Sequence, residues 1–338
     1  EQRQERLVDA VEFGAHIVLG GAIGGGLGQR EALSGRDRFM LVCTQLRSFS
    51  TLRNAAKRQS FGFAVTINRL GRILMLRLGL FIAYPFAEGV WLSVIDARVG
   101  VPGHFVGLEN FVMLWNDSIF RVAVWNTFVY TAVATVFKLG LGLWLALLLN
   151  RNFRGKAFTR AFILLPFIIP TVLSTFAWKW MFDPTFSVIN WTLFHLGIIH
   201  ARINWLGDPD LALISVIIVN VWRGVPFFAI SLLAGLQTIN PELQEAAAID
   251  GARAWQRFWH VTWPLLLPVT MVVMLFSIIQ TFADFQLVYV LTGGGPANAT
   301  QLFATYAYQI GVGTGLLSQG AAISLAMFPF LLIVVVVQ

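Results

Sequence analysis

The sequence predicts an all-α, polytopic membrane protein, and three observations carry that expectation. Hydrophobic residues make up 57% of the 338 residues and charged residues only 12%, about half the charged share of a soluble domain. Six apolar runs reach the roughly 20 residues that a membrane-spanning helix needs. The basic residues sit in short segments between those runs, as cytoplasmic loops require. A net charge of +7 raises nucleic acid as a partner, but no single basic stripe collects it, so none is expected. Cys43 is the one cysteine, which excludes an intrachain disulfide framework.

The expected spans are Leu74–Ile95, Val122–Leu149, Ala161–Phe182, Leu211–Leu236, Leu265–Leu291 and Ala321–Val337. The third carries Pro166 and Pro170. Lys57, Arg58, Arg69 and Arg72 precede the first span, and Arg151, Arg154, Lys156 and Arg160 follow the second without an acid. Both segments are cytoplasmic by the positive-inside rule. Asp96–Arg121 and Asp183–Asp210 hold more acids than bases, and Thr292–Gly320 holds no charge. Those three face outward. Trp91, Trp125, Trp178 and Trp180 lie toward span ends, where tryptophan meets the membrane interface.

Residues 1–70 are expected to form a cytoplasmic N-terminal tail, with an extra helix as the alternative. Gly20, Gly24 and Gly28 have a membrane helix-packing spacing, but the run also carries Glu12 and His16. No Gly-Lys-Ser/Thr follows, so the glycines form no phosphate loop. The start at Glu1 and the end after Val334–Val337 read as cut ends. Residues 71–338 are expected to form one membrane domain.

The fourth and fifth spans are separated by a polar, aromatic stretch at 240–264, which reads as two short helices. Asn240 is a good N-cap, Pro241 suits the first helical position, and Glu242 favours the helix dipole. Ala246, Ala247 and Ala248 raise helix propensity. Gly251 permits a turn that a side chain would hinder. Trp255, Phe258, Trp259 and Thr262 then recur at helical spacing, and Pro264 marks re-entry into the membrane. By alternation of the spans this stretch is cytoplasmic. A helix lying in a groove on a partner and an amphipathic helix resting on lipid headgroups both fit it.

Glu245-Ala246-Ala247, Asp250-Gly251-Ala252, nine residues between Gly251 and Val261, and Pro264 resemble the EAA loop of ABC importer membrane subunits. The family's Ile-x-Leu-Pro ending is here Val261-Thr262-Trp263-Pro264, so its apolar character holds while two identities differ. "VGLENF" (106–111), "NTF" (126–128), "INWLGDP" (203–209) and "YVLTGGGPANAT" (289–300) resemble the carbohydrate-uptake branch, the maltose and glycerol-3-phosphate type, and specifically its first subunit. The resemblance covers roughly residues 70–338. It implies a type I ABC importer transmembrane domain with six core helices and a cytoplasmic coupling helix, in a bacterial inner membrane. It also implies a heterodimer with a second permease, two ATP-binding subunits carrying ATP and Mg, and an external substrate-binding protein. Glu245, Ala246, Ala247, Asp250, Gly251 and Ala252 would then contact the ATPase. No cofactor or metal is expected on this chain, and no catalytic residue.

Polar residues inside spans are expensive and suggest function. Arg223 lies within the fourth span, beside Gly224 and Pro226, which suggest a locally broken helix lining a cavity. Either it serves the substrate path or it forms an ion pair with Asp284 in the fifth span. The maltose-type resemblance implies a sugar-lining segment at Asn220, Trp222, Gly224 and Pro226, with Arg223 departing from an apolar position, and polar contributors at Ser277, Gln280 and Thr281. Phe227 and Asp284 complete the expected path. Amides and hydroxyls suit sugar hydroxyls, and aromatic faces suit pyranose rings. A disaccharide, a polyol and glycerol-3-phosphate all fit.

Lys138 reads as a structural lysine, Glu88 as a partner for the second permease, and His195 and His200 as solvated. "GGGPANAT" reads as a flexible outer turn. A proton-coupled secondary transporter would need an ionisable relay, and a non-transporting scaffold would turn the polar span residues into helix contacts. The EAA resemblance favours the importer over both.

Overall fold

The computed structural model describes residues 77 and 79–337. The tail expected over residues 1–70, and part of the first expected span, lie outside the described residues. Helical backbone covers 79–93 (α1). Then come α2 (Glu109–Asn116), α3 (Ser118–Asn150), α4 (Lys156–Ile168), α5 (Thr171–Met181), α6 (Val188–His195), α7 (Pro209–Thr238) and α8 (Pro241–Ile249). A long helix, α9 (Ala254–Phe282), contains a π turn at Phe258–Thr262. It is followed by α10 (Gln286–Leu291), α11 (Phe303–Tyr308) with a π turn at Gln309–Gly313, and α12 (Leu317–Val337). The only strand-like pairing among the described residues is two isolated antiparallel bridges, Ile95–Phe105 and Arg98–Val101.

The protein is all-α and multi-pass, but the expected spans need correction. Among the described residues α3, α7, α9 and α12 are long and apolar enough to cross a membrane, and α4 with α5 makes a fifth candidate bent by 89°. The bend has a local cause. Ile169 precedes Pro170 and is extended at φ −63°, ψ 131°, because a proline ring crowds a preceding helical residue. The fifth expected span, Leu265–Leu291, is also interrupted: α9 stops at Phe282, and α10 starts at Gln286. The second of the two short helices expected at 240–264 is the start of α9 itself, since helical backbone runs through the π turn into Trp263. Gly224 and Pro226 do not break the fourth span. Helix α7 continues through both, with Pro226 buried.

At the centre α3 packs on α7. Gly142 sets their approach, because a Cβ there would lie 2.4 Å from the Phe228 Cβ. Three apolar clusters follow the bundle. Tyr130, Phe182, Val216 and Leu287 form one, Phe120, Phe282, Phe303 and Ile323 a second, and Leu149, Phe228, Leu232 and Leu266 a third. Large apolar side chains such as Phe81, Val136, Val272 and Val336 remain exposed. In lipid such exposure carries no penalty.

The motifs that resemble the carbohydrate-uptake branch turn out to be clamps at loops. Asn110 of "VGLENF" is buried and donates to the Ser93 and Ile95 carbonyls at 2.9 and 2.7 Å, ending α1. Asn126 of "NTF" donates to the Ala299 and Gln301 carbonyls at 2.8 and 3.2 Å. Thr127 accepts from the Phe303 N–H at 3.0 Å. The expected flexible turn "GGGPANAT" is therefore anchored. Thr300 bonds within it to the Gly295 carbonyl at 2.7 Å, and Gly294, at φ +90°, lies against the Gln301 side chain. Asn204 and Trp205 of "INWLGDP" bond to Gly207 N and Asn190 at 3.0 and 2.9 Å.

A close backbone approach pairs Gly320 on α12 with Gly311, where a Cβ on Gly320 would lie 2.5 Å from the Gly311 Cα. Gly320→Leu should cost about 1–3 kcal/mol by overpacking. Gly140→Leu, which meets nothing within 4 Å, should be near neutral. Thermal melts of the purified protein in detergent check the contrast, and equal melting points would contradict it.

Candidate functional site

Two groups of residues stand out. The first is the loop that joins α7 to α9. Asn240 caps α8 by accepting from the Glu242 N–H at 3.1 Å, with Pro241 at the first position, as its sequence signature requires. Every residue of α8 is exposed or half-buried, and Ile249 is 87% exposed. Gly251 then takes φ +82° in open space, a conformation that a Cβ disfavours. Its N–H donates to the Ala248 carbonyl at 3.1 Å, and that of Ala252 to the Ala247 carbonyl at 3.0 Å. Glu245, Ala246 and Asp250 are exposed, while Ala247 and Ala252 are half-buried. Gln244 donates from Nε2 to the Thr262 hydroxyl at 2.9 Å, which ties α8 to the π turn of α9. Ala247, Asp250, Gly251, Ala252, Arg257 and His260 line a cleft of about 320 Å³ between the two helices. The expected aromatic face forms: Trp255 sits 5.5 Å from Trp259 and 6.3 Å from Phe258, centroid to centroid.

The second group is a polar cluster inside the bundle. Asp284 occupies the break between α9 and α10. Its Oδ2 accepts from the Tyr130 hydroxyl at 2.8 Å and from Asn220 Nδ2 at 3.1 Å, and its Oδ1 from the Leu287 N–H at 3.4 Å. One carboxylate thus joins α3, α7 and the start of α10. One layer away, Lys138 is buried and donates from Nζ to the Thr281 hydroxyl at 2.7 Å, which itself donates to the Ser277 carbonyl at 2.7 Å. The Lys138 stem crosses Gly224 so closely that a Cβ there would lie 2.3 Å from the lysine Cδ.

The residues expected on a substrate path therefore divide. Asn220, Ser277, Thr281 and Asp284 take part in interior hydrogen bonds, and Gly224 makes room for Lys138. Gln280 is exposed. Trp222 meets Trp178 edge-on at 5.4 Å, and half-buried Phe227 contacts Phe167 and Phe276 at 5.7 and 5.3 Å. Tyr130 and Asn220 hydrogen-bond the Asp284 carboxylate, and the Arg223 guanidinium lies near enough to act on it electrostatically. The Arg223 Nε and the Asn220 Oδ1 are buried without hydrogen-bond partners in this chain. Sequence reading missed Tyr130. Its signal was available: Tyr130, Ala134 and Lys138 follow one another at four-residue spacing along one stripe of α3. Among the described residues no group of three or more His, Cys, Asp and Glu is placed to hold a metal ion.

The Lys138–Gly224 contact generates a test. Gly224→Ala should displace the Lys138 ammonium from Thr281 and lower thermal stability. In a Lys138→Ala background the same change should be nearly neutral, so a double-mutant cycle on melting temperature should show strong coupling. Additive effects would contradict the packing.

Comparison with known proteins places this architecture. Residues 138–338, more than half of the chain, match the family described as "Binding-protein-dependent transport system inner membrane component". The "Trehalose/maltose transport system permease protein MalF" of Thermococcus litoralis is 35% identical over 269 residues, 78% of this chain and 90% of that protein. The "Sulfoquinovosyl glycerol transport system permease protein SmoG" of Agrobacterium fabrum is 35% identical over 268 residues, 77% of this chain and 86% of that protein. A chain in the crystal structure of a bacterial alginate ABC transporter, in complex with alginate pentasaccharide-bound periplasmic protein, has the same fold. It superimposes with a TM-score of 0.68 at 22% identity, over 83% of this chain and 93% of that one. The chain belongs to the binding-protein-dependent transport system inner membrane components, and is a permease subunit of the ABC importer class rather than an enzyme.

Proposed function

We propose that this chain is one permease half of an ATP-driven importer for a carbohydrate-class solute, and that α8 is its contact to the ATPase. The observation that carries the reading is the exposed, capped α8, which ends at a left-handed glycine and is tied to α9 through Gln244 and Thr262. Glu245, Ala246, Ala247, Asp250, Gly251 and Ala252 would form the contact. Such a helix has surface to offer and one rigid connection through which to pass on a displacement. ATP and Mg would reside on two partner ATPases, and a second permease and an external binding protein would complete the assembly. The membrane would be a bacterial inner membrane, with α8 on the cytoplasmic side.

A sugar or related polyol is supported by the substrates named for the two relatives, and by the aromatic pair Phe227–Phe276 with exposed Gln280 one turn beyond Phe276. A disaccharide, a polyol and glycerol-3-phosphate stay within the class. The unpartnered Arg223 Nε and Asn220 Oδ1 mark where a polar solute would find unused hydrogen-bonding capacity. The exposure of Trp255 at 69% and Ile249 at 87% favours a second reading, in which α8 and the start of α9 rest on lipid headgroups.

Mild-detergent affinity purification of the chain from its native membranes, with mass spectrometry of what accompanies it, tests the proposal. Recovery of a second permease and an ATPase supports it. Recovery of the crosslinked chain alone favours the lipid-surface reading. Gly251→Val should abolish coupled transport while the complex stays inserted, since a side chain at φ +82° costs roughly 1–2 kcal/mol and shifts the turn. Normal uptake by that variant would remove α8 from the mechanism. Arg223→Leu should change substrate range or affinity more than assembly, as read from uptake assays beside yield of the complex. Loss of the complex itself would make Arg223 structural.

A further inference from the structure

The segment between α5 and α7 has a feature that transport leaves unused. Along 186–198 it exposes Phe186 at 83%, Trp191 at 62%, Phe194 at 56% and Ile198 at 63%. Beneath this apolar ridge a cleft of about 550 Å³ is lined by Ser187, Trp191, Phe194, His195, His200 and Arg202 among others, and no carboxylate lines it. Two of the nearby acids are engaged with backbone: Asp183 accepts from the Thr185 and Phe186 N–H groups, and Asp208 from those of Asp210 and Leu211. The cleft is therefore apolar along its ridge and carries one cation, the exposed Arg202.

Its depth follows from α7. A helix of 30 residues is about 45 Å long, the thickness of a bilayer with its headgroup layers. The first turns of α7 thus stand at headgroup depth. The segment is fixed there, because Phe182, Trp205, Leu206 and Leu213 pack with Val216 in one cluster. The Asn190 side chain holds Ile203 and Trp205, and Ser187 holds the Met181 carbonyl at 2.5 Å. Aromatic side chains favour this layer, and cations there meet lipid phosphates.

We propose that the cleft under α6 binds the headgroup of a membrane phospholipid, with the phosphate on Arg202 and the acyl chains along Trp191, Phe194 and Ile198. His195 adds selectivity. Its Nδ1 bonds the Trp191 carbonyl at 2.8 Å, and a carbonyl only accepts, so Nδ1 carries the proton. In the neutral ring Nε2 is left as an acceptor. It suits a headgroup with its own donor, an ethanolamine ammonium or a glycerol hydroxyl, rather than choline. The site rests on the multi-pass membrane placement alone and is independent of the substrate reading.

The test uses the assembled importer in vesicles of phosphatidylethanolamine and phosphatidylglycerol, with a benzophenone amino acid replacing Phe194. Illumination should give a lipid adduct. Arg202→Ala should lower its yield about tenfold, the loss of one charge-assisted contact, and Arg202→Lys should restore part of it. Vesicles of phosphatidylcholine should give less adduct than the first mixture. A crosslink to the substrate-binding protein in place of lipid, or a lipid yield unchanged by Arg202→Ala, would overturn the assignment.

Discussion

Inside a bilayer a polar group finds little water, so most that enter find a partner in protein. The Asp284 carboxylate shows what that constraint does to this chain. Where α9 ends, the last turn of the helix leaves carbonyls unpaired and the next helix must begin with free N–H groups. Asp284 answers at that position by accepting from the Leu287 N–H, and its second oxygen takes Tyr130 and Asn220. A break in one span is thereby tied to the two helices at the centre of the bundle. Lys138 extends the same logic. It can sit inside only because Thr281 offers a hydroxyl and Gly224 leaves space for its stem.

The fold class was legible because hydropathy and the distribution of lysine and arginine are one-dimensional signals. The N-terminus of α8 was equally legible, since Asn240, Pro241 and Glu242 state their roles locally. What composition misjudged were breaks and continuities. A proline in a span reads as a break, yet Pro226 sits inside continuous α7 while Ile169-Pro170 bends its span by 89°. The difference lies in the residue before each proline and in tertiary packing, and only the second case shows an extended predecessor. Likewise the end of α9 at Phe282 has no glycine or proline to announce it.

The polar residues followed the same rule. Asn220, Thr281 and Asp284 were rightly singled out as costly, but cost alone does not distinguish a ligand contact from a helix contact. The partners decide, and they come from remote positions: Tyr130 lies 154 residues from Asp284, and Lys138 lies 143 from Thr281. The resembling motifs behaved in the same way. "NTF" and "GGGPANAT" look unrelated along the chain, yet Asn126 holds the latter's Ala299 carbonyl and Thr127 the N–H of Phe303 beyond it. A motif that reads as a mobile turn was half of a clamp whose other half lay on α3.

These ties bear on how a push at α8 could reach the interior. From its π turn to Phe282, α9 is one uninterrupted helix, and a helix transmits displacement along its axis with little loss. Its two ends are fixed differently. At the base Gln244 meets Thr262 at a π turn, a local irregularity that tolerates adjustment. At the far end the break at Asp284 is held by two hydrogen bonds from neighbouring helices. Coupling of distant sites requires an element with two arrangements that both sites bias, not mere adjacency. In the proposed importer the break is suited to be that element. Motion of α9 would strain the Tyr130–Asp284–Asn220 junction and the Lys138–Thr281 bond together, and α3 and α7 would have to follow or let go. A bundle closed by these few polar contacts, with lipid-exposed surfaces elsewhere, can change shape at modest cost because interhelical hydrogen bonds in membranes average only about 0.6 kcal/mol.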